Sequence, residues 1–94
     1  MNVQHTLNLG GGHLIEIGEA TWDPQGSRSI RDRWPTSTGG FSPRSSSEVP
    51  MDSLVQMLQF AAQHDELTAA ECSDIIIALA DSIKRQHPSY INIM

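Results

Sequence analysis

The chain has 94 residues, a formal net charge of −5, one cysteine and 38% hydrophobic residues. Its length predicts one small domain, and its acidity argues against non-specific nucleic-acid binding, which needs a cationic surface. A lone cysteine excludes an intramolecular disulfide. No signal-peptide pattern and no apolar run of about 20 residues is visible, so we expect a soluble cytoplasmic protein with no membrane contact.

Residues 1–23 predict a β-hairpin. In "VQHTLNLGGGHLIEI", apolar residues alternate with polar ones on both sides of three consecutive glycines. Alternation predicts strands with two different faces, and glycine accepts the positive φ angles that tight turns require. We therefore expect two antiparallel strands joined by Gly10, Gly11 and Gly12, with the turn type left open.

Residues 24–49 are predicted to be irregular. Their apolar residues are sparse and follow neither the helical nor the strand period, and Pro24, Pro35 and Pro43 interrupt regular pairing. The segment is rich in Arg, Ser, Gly and Pro. Its part from residue 24 to residue 47 has a net charge of +3, which leaves −8 for the rest of the chain.

Residues 50–87 predict a helical hairpin. Pro50 suits the start of the first helix, and apolar residues then recur at helical spacing as far as about residue 64. Thr68 and Glu71 form the sequence pattern of a capping box, which predicts the start of a second helix. Pro88 stops that helix, and the short connection predicts antiparallel packing of the pair.

These elements together predict an α+β fold. An N-terminal β-hairpin would pack on a C-terminal antiparallel αα-hairpin, with the arginine-rich segment joining them. Residues 88–94 form a tail, in which alternation of Ile91 and Ile93 allows a short third strand.

No pattern of catalytic or metal-binding residues is present in the sequence. His5 and His13 could meet across the hairpin, but two histidines alone make a weak metal site, and no ligand pair has zinc-like spacing. Cys72 lies on the apolar side of a predicted helix, where a buried unreactive thiol is usual. The glycines match no phosphate-binding motif. We expect a non-enzyme without a cofactor or a metal.

The remaining candidate site is the group of arginines and aromatic residues in the irregular segment. Arg and Trp are enriched at the centres of binding interfaces. The residues could be a staple that holds the segment on the helices, a partner-binding surface, or a nucleic-acid contact, and burial of the two aromatic rings separates the first option from the others. The predicted partner-binding residues are Arg31, Arg33, Trp34, Phe41 and Arg44.

The function expected from these features is that of a small acidic protein-interaction module. It would be an inhibitor, an immunity protein or an accessory protein that occludes a larger partner, and a homodimer is one option for stabilising so small a core. The alternative is a small nucleic-acid-associated protein that uses the same arginine and aromatic residues.

Overall fold

A computed structural model describes residues 1–87 as four β-strands followed by two α-helices. This arrangement confirms the α+β fold class. The tail from residue 88, with the third strand that its alternation allowed, lies outside the described residues. The elements are β1 (Asn2–Gly10), β2 (His13–Ala20), β3 (Asp23–Arg33), β4 (Ser47–Pro50), α1 (Met51–Gln63) and α2 (Ala69–Gln86).

The strands form one antiparallel sheet in the order β1-β2-β3-β4. β1 and β2 are the predicted hairpin, and Gly10 pairs with His13 where the turn begins. The turn residues Gly11 and Gly12 have φ angles of 62° and 83°. Positive φ at both central residues is the requirement of a type I′ turn, whose twist matches that of the strands. The glycine run therefore specifies the turn.

The prediction that residues 24–49 are irregular is wrong for much of the segment. β3 occupies its first part as far as Arg33, and β4 occupies its end. In the sheet, Arg31 lies opposite Glu16 on one neighbouring strand and opposite Glu48 on the other. Cross-strand pairs of opposite charge stabilise a sheet without an alternating apolar pattern. The strands were missed because ion pairs take the place of apolar residues.

Residues 34–46 form a loop that folds back on itself. A β-bridge joins Pro35 to Phe41. Between them, the amide of Gly39 donates to the Thr36 carbonyl at 3.0 Å, and the amide of Gly40 donates to the Thr36 hydroxyl at 2.9 Å. Gly39 has a φ of 92°, a conformation in which a side chain would be strained. The loop is therefore held by its own hydrogen bonds.

The helix α1 begins one residue after the predicted Pro50 and ends in a Schellman motif. The amides of Asp65 and Glu66 donate to the carbonyls of Ala62 and Ala61, at 3.2 and 3.0 Å. Asp65 takes the left-handed conformation with a φ of 56°, at a position where glycine is preferred.

The predicted capping box at the start of α2 is confirmed. The amide of Glu71 donates to the Thr68 hydroxyl at 3.1 Å, and the amide of Thr68 donates to the Glu71 carboxylate at 2.9 Å. The helix carries Lys84 and Arg85 in its last turn, where cations favour the negative end of the helix dipole.

The chain divides into two compact units, one that contains the sheet and ends at Met57 and one that begins at Leu58. The predicted packing of sheet against helices, and the single domain that it implies, stay predictions. Within residues 1–87, Ala20 is the one buried hydrophobic side chain, while twelve large hydrophobic residues are exposed. None of the helices in this range is long and apolar enough to cross a membrane.

Candidate functional site

One face of the sheet carries a buried ion-pair cluster. Glu16 is 3% exposed, and its carboxylate accepts hydrogen bonds from Arg31 Nε at 2.9 Å and from Arg33 Nη1 at 3.4 Å. Arg31 Nη2 adds a further contact at 2.7 Å. The ring of Phe41 lies against both guanidinium groups, with its centroid 4.8 Å from Arg31 Cζ and 5.1 Å from Arg33 Cζ. The loop is thus fixed to the sheet through a cation–π contact.

Glu48 of β4 extends this charged network on the same face. Its carboxylate accepts from the amide and the hydroxyl of Thr21, at 2.8 and 2.7 Å, and from the hydroxyl of the fully buried Ser29 at 2.9 Å. Burial by itself raises the pKa of Glu48, but these hydrogen bonds and the N-terminal ammonium outweigh it and hold the pKa below its ordinary value. The carboxylate is therefore ionised in the folded chain.

Trp34 lies on the opposite face of the sheet. Its indole ring stacks on the ring of His13 with centroids 3.7 Å apart and an angle of 13° between the planes. Asp32 joins both, because one carboxylate oxygen accepts from Trp34 Nε1 at 3.0 Å and the other is hydrogen-bonded to His13 Nε2. Hydrogen bonds from His13 and then Trp34 lower the pKa of Asp32. The Trp34 amide also donates to the Ser46 hydroxyl at 2.9 Å, which fixes the backbone.

The structure thus divides the predicted site residues between the two faces. Arg31, Arg33 and Phe41 lie together, whereas Trp34 contacts Asp32, whose side chain leaves β3 on the other side. Arg44 is exposed in the loop of residues 34–46. Both aromatic rings are fixed by contacts and yet stay open, with Trp34 40% and Phe41 37% exposed. Neither ring is the buried staple of a hydrophobic core.

Three residues that hold these aromatics were missed in the sequence. Glu16, His13 and Asp32 position the rings, and none of them is among the predicted partner-binding residues. The signal that finds them is the strand register. Once β3 is assigned, Arg31 falls opposite Glu16 and Asp32 lies one position from the end of the paired region near His13.

The two helices line an open apolar groove of about 280 Å³. Leu58 of α1 and Leu79 of α2 both line it, and the antiparallel packing of the two helices stays a prediction. Phe60, which is not among the lining residues, is exposed, and its ring meets that of His64 in an edge-to-face contact with centroids 4.7 Å apart. The lining residues are Leu58, Gln59, Ala62, Leu67, Cys72, Ile75, Ile76 and Leu79.

The possible metal and nucleophile residues do not come together. Within residues 1–87, no group of three His, Cys, Asp or Glu side chains could hold a metal ion. His5 pairs with Ile17 and not with His13, because the hairpin turns at Gly11 and Gly12 rather than symmetrically about the two histidines. Cys72 faces the apolar groove, where its thiol lies 3.9 Å from the Leu67 carbonyl.

Comparison with known proteins finds no matching protein family, and no curated protein or solved structure has significant similarity to this chain.

Proposed function

We propose that the protein is a small non-enzymatic protein-interaction module that binds its partner through Trp34 and the loop that follows it. The observation that carries this proposal is the fixed but open Trp34 ring, stacked on His13, hydrogen-bonded to Asp32 and 40% exposed.

A rigid, exposed tryptophan is well suited to be the centre of an interface. Binding normally costs free energy because side chains must be immobilised, and that cost is about 0.5–1.5 kcal/mol for each flexible side chain. The stack on His13 and the hydrogen bond to Asp32 remove most of this cost for Trp34 before a partner arrives. Tryptophan is also among the residues that dominate measured binding energies.

The rest of the predicted site has different parts in this proposal. Arg44 is exposed and can reach a partner carboxylate. Arg31 and Arg33 are held by Glu16, and their guanidinium groups contact the ring of Phe41. A module of this size would act as an inhibitor, an immunity protein or an accessory protein by covering part of a larger partner. The nucleic-acid alternative is less favoured, because both arginines are already paired with the Glu16 carboxylate and would have to exchange it for phosphate.

The test is a capture experiment that compares two tryptophan variants. Trp34→Ala and Trp22→Ala remove the same side chain, and both residues are exposed, but Trp22 lies at the β2–β3 turn, at the other end of β3. Affinity-tagged wild type and both variants are exposed to extract of the source cells, and bound proteins are compared by quantitative mass spectrometry. We expect a specific partner that is lost with Trp34→Ala and retained with Trp22→Ala.

The affinity of that partner then decides the proposal. A central interface residue contributes 2 kcal/mol or more, so Trp34→Ala should raise the Kd at least about 30-fold. A partner that binds wild type and Trp34→Ala equally would refute this role of Trp34. Loss of the native circular dichroism in Trp34→Ala would instead identify the ring as a structural residue and would also count against the proposal.

A further inference from the structure

The face of the sheet that carries Phe41 shows how this chain binds a guanidinium group. Arg31 is held by two neighbours at once, the Glu16 carboxylate 2.7 Å from its Nη2 and the ring of Phe41 with its centroid 4.8 Å from its Cζ. The carboxylate supplies the counter-charge, and the ring supplies a flat surface on which a planar cation stacks. A carboxylate beside an aromatic ring is thus an arrangement that binds arginine in this sheet.

The opposite face of the sheet carries the same two groups. Asp32 accepts a hydrogen bond from Trp34 Nε1 at 3.0 Å, so its carboxylate lies at the edge of the indole ring. His13 covers one side of that ring, and Trp34 is still 40% exposed, so the other side is accessible. Tryptophan binds cations over its ring more strongly than phenylalanine does.

The carboxylate of Asp32 can accept a further ligand. Its side chain is 47% exposed, and its two oxygens make one hydrogen bond each, with His13 and with Trp34. An ionised carboxylate has about four acceptor positions, so about two of them stay open. The same two hydrogen bonds lower the pKa of Asp32, which keeps the group ionised at neutral pH.

The arginines of the sheet unit do not supply this ligand. Within residues 1–57, the ion pairs and cation–π contacts of arginine all lie on the face that carries Phe41. In the same range Asp32 forms an ion pair with His13 alone. The pair of Trp34 and Asp32 therefore resembles the arginine site on the other face, with a ring and a carboxylate in place and no guanidinium from this unit.

We infer that the partner presents an arginine, whose guanidinium group stacks on the accessible side of Trp34 and pairs with the Asp32 carboxylate. The net charge of −5 favours the approach of such a basic segment. Arginine fits better than lysine, because a planar guanidinium stacks on an aromatic ring and donates to a carboxylate at the same time. This inference rests on the proposed function, which takes Trp34 as the binding residue, and adds the chemistry of the partner.

A peptide titration tests the inference without a natural partner. The probes are three capped tripeptides, Gly-Arg-Gly, Gly-Lys-Gly and Gly-citrulline-Gly, and citrulline has the shape of arginine without its charge. Binding is followed by the NMR signal of the Trp34 Nε1 proton at about pH 7.5, where histidine side chains carry little charge. The Trp22→Phe variant assigns that signal, because the chain has two tryptophans. We expect the arginine peptide to bind at least about five-fold more tightly than the citrulline peptide, because citrulline loses both the cation–π contact and the ion pair.

Two carboxylate variants on the same face of the sheet then locate the binding. Asp32→Asn removes the counter-charge and still offers an acceptor to Trp34, and it should weaken the arginine peptide at least about three-fold. Glu19→Gln removes an equal charge on the face of Asp32, four positions along β2 from Ile15, the residue opposite Asp32. At roughly 13 Å this charge is largely screened at physiological salt, so the affinity should change less than about two-fold.

Several results would overturn the inference. Equal binding of the arginine and citrulline peptides to wild type would do so, and this comparison does not depend on the folding of any variant. Tighter binding of the lysine peptide, equal effects of Asp32→Asn and Glu19→Gln, or no shift of the Trp34 signal with any peptide would do so too.

The outcome is separable from that of the capture experiment. A partner that is lost with Trp34→Ala, together with equal binding of the arginine and citrulline peptides, would keep the proposed function and reject the arginine. Selective binding of the arginine peptide, together with a partner that binds Trp34→Ala as well as wild type, would reject the proposed function although the site binds arginine.

Discussion

The unit that contains the sheet and the unit that begins at Leu58 are stabilised in opposite ways. The sheet has polar groups at its most buried positions, where Glu16 and Ser29 are paired with charged neighbours and Ala20 is the one buried apolar residue described. The helices have ordinary apolar strips, but these strips line an open groove. Buried polar groups of the sheet unit are paired, whereas no side chain of the two helices is buried.

This difference has consequences for how each unit fails. A buried ion pair is sensitive to the loss of either partner, because the remaining charge stays desolvated. Removing one cap from a helix lowers the free energy of unfolding by less, typically about 1 kcal/mol. Both tryptophans lie in the sheet unit, at residues 22 and 34, so tryptophan fluorescence follows that unit and far-ultraviolet circular dichroism at 222 nm follows mainly the helices.

The largest effect is expected from Glu16→Gln. The amide keeps the shape of the carboxylate but leaves Arg31 and Arg33 without their buried counter-charge. Removing one partner of such a pair costs about 3–5 kcal/mol, and we expect the lower end because Glu48 lies 4.0 Å from Arg31 Nη1. Urea unfolding followed by tryptophan fluorescence should show this loss.

A matched change on the other face of the same strand controls for the lost charge. Glu19→Gln alters a carboxylate whose hydrogen bonds, from Asn2 at 3.4 Å and Gln4 at 3.2 Å, are exposed. It should cost about 0.5 kcal/mol or less. Equal losses for the two variants would mean that the cluster around Glu16 contributes no more than a surface charge pair.

The contrast between the units also explains what could be predicted from the sequence. Helix boundaries, the capping box and the glycine turn depend on residues close together in the chain, and Thr68 with Glu71 is enough to place the start of α2. The ion pairs that β3 and β4 make join residues 15 or more positions apart, such as Arg31 with Glu16. No local pattern reveals such a pair until the register is known.

The candidate site follows the same division. Trp34 and Phe41 were identified by residue type, and both are partly open in the structure. Their separation onto two faces could not be predicted, because it depends on Asp32 and Arg33 being successive residues of a strand. His13 was considered as a metal ligand, although its role here is to support the ring of Trp34.

A smaller effect, confined to the helices, is expected from Thr68→Ala. The change removes the hydroxyl that caps α2 and frees the Glu71 amide. Loss of such a cap costs about 1 kcal/mol. At one fixed protein concentration, the transition at 222 nm should move to lower urea, while the fluorescence transition stays in place. Ser73→Ala, a change at an exposed interior position of the same helix, should not destabilise it. A common shift of both signals would show that the two units unfold together.

The smallest effect is expected from acid, and it should be seen in the sheet unit. The pKa values of Glu48 and Asp32 lie below their ordinary values of 4.5 and 3.8. The folded state therefore binds these two protons more weakly than the unfolded state. The stability that the two carboxylates contribute is complete above their ordinary pKa values, and it is lost as the pH falls through the lower pKa values of the folded state. The contribution of Asp32 is small, since its side chain is 47% exposed and solvent screens it.

The fluorescence-detected urea midpoint should therefore decline between about pH 5 and pH 3. Glu48→Gln should flatten this decline, because it removes the more buried of the two carboxyls, and an unchanged slope in that variant would contradict the assignment.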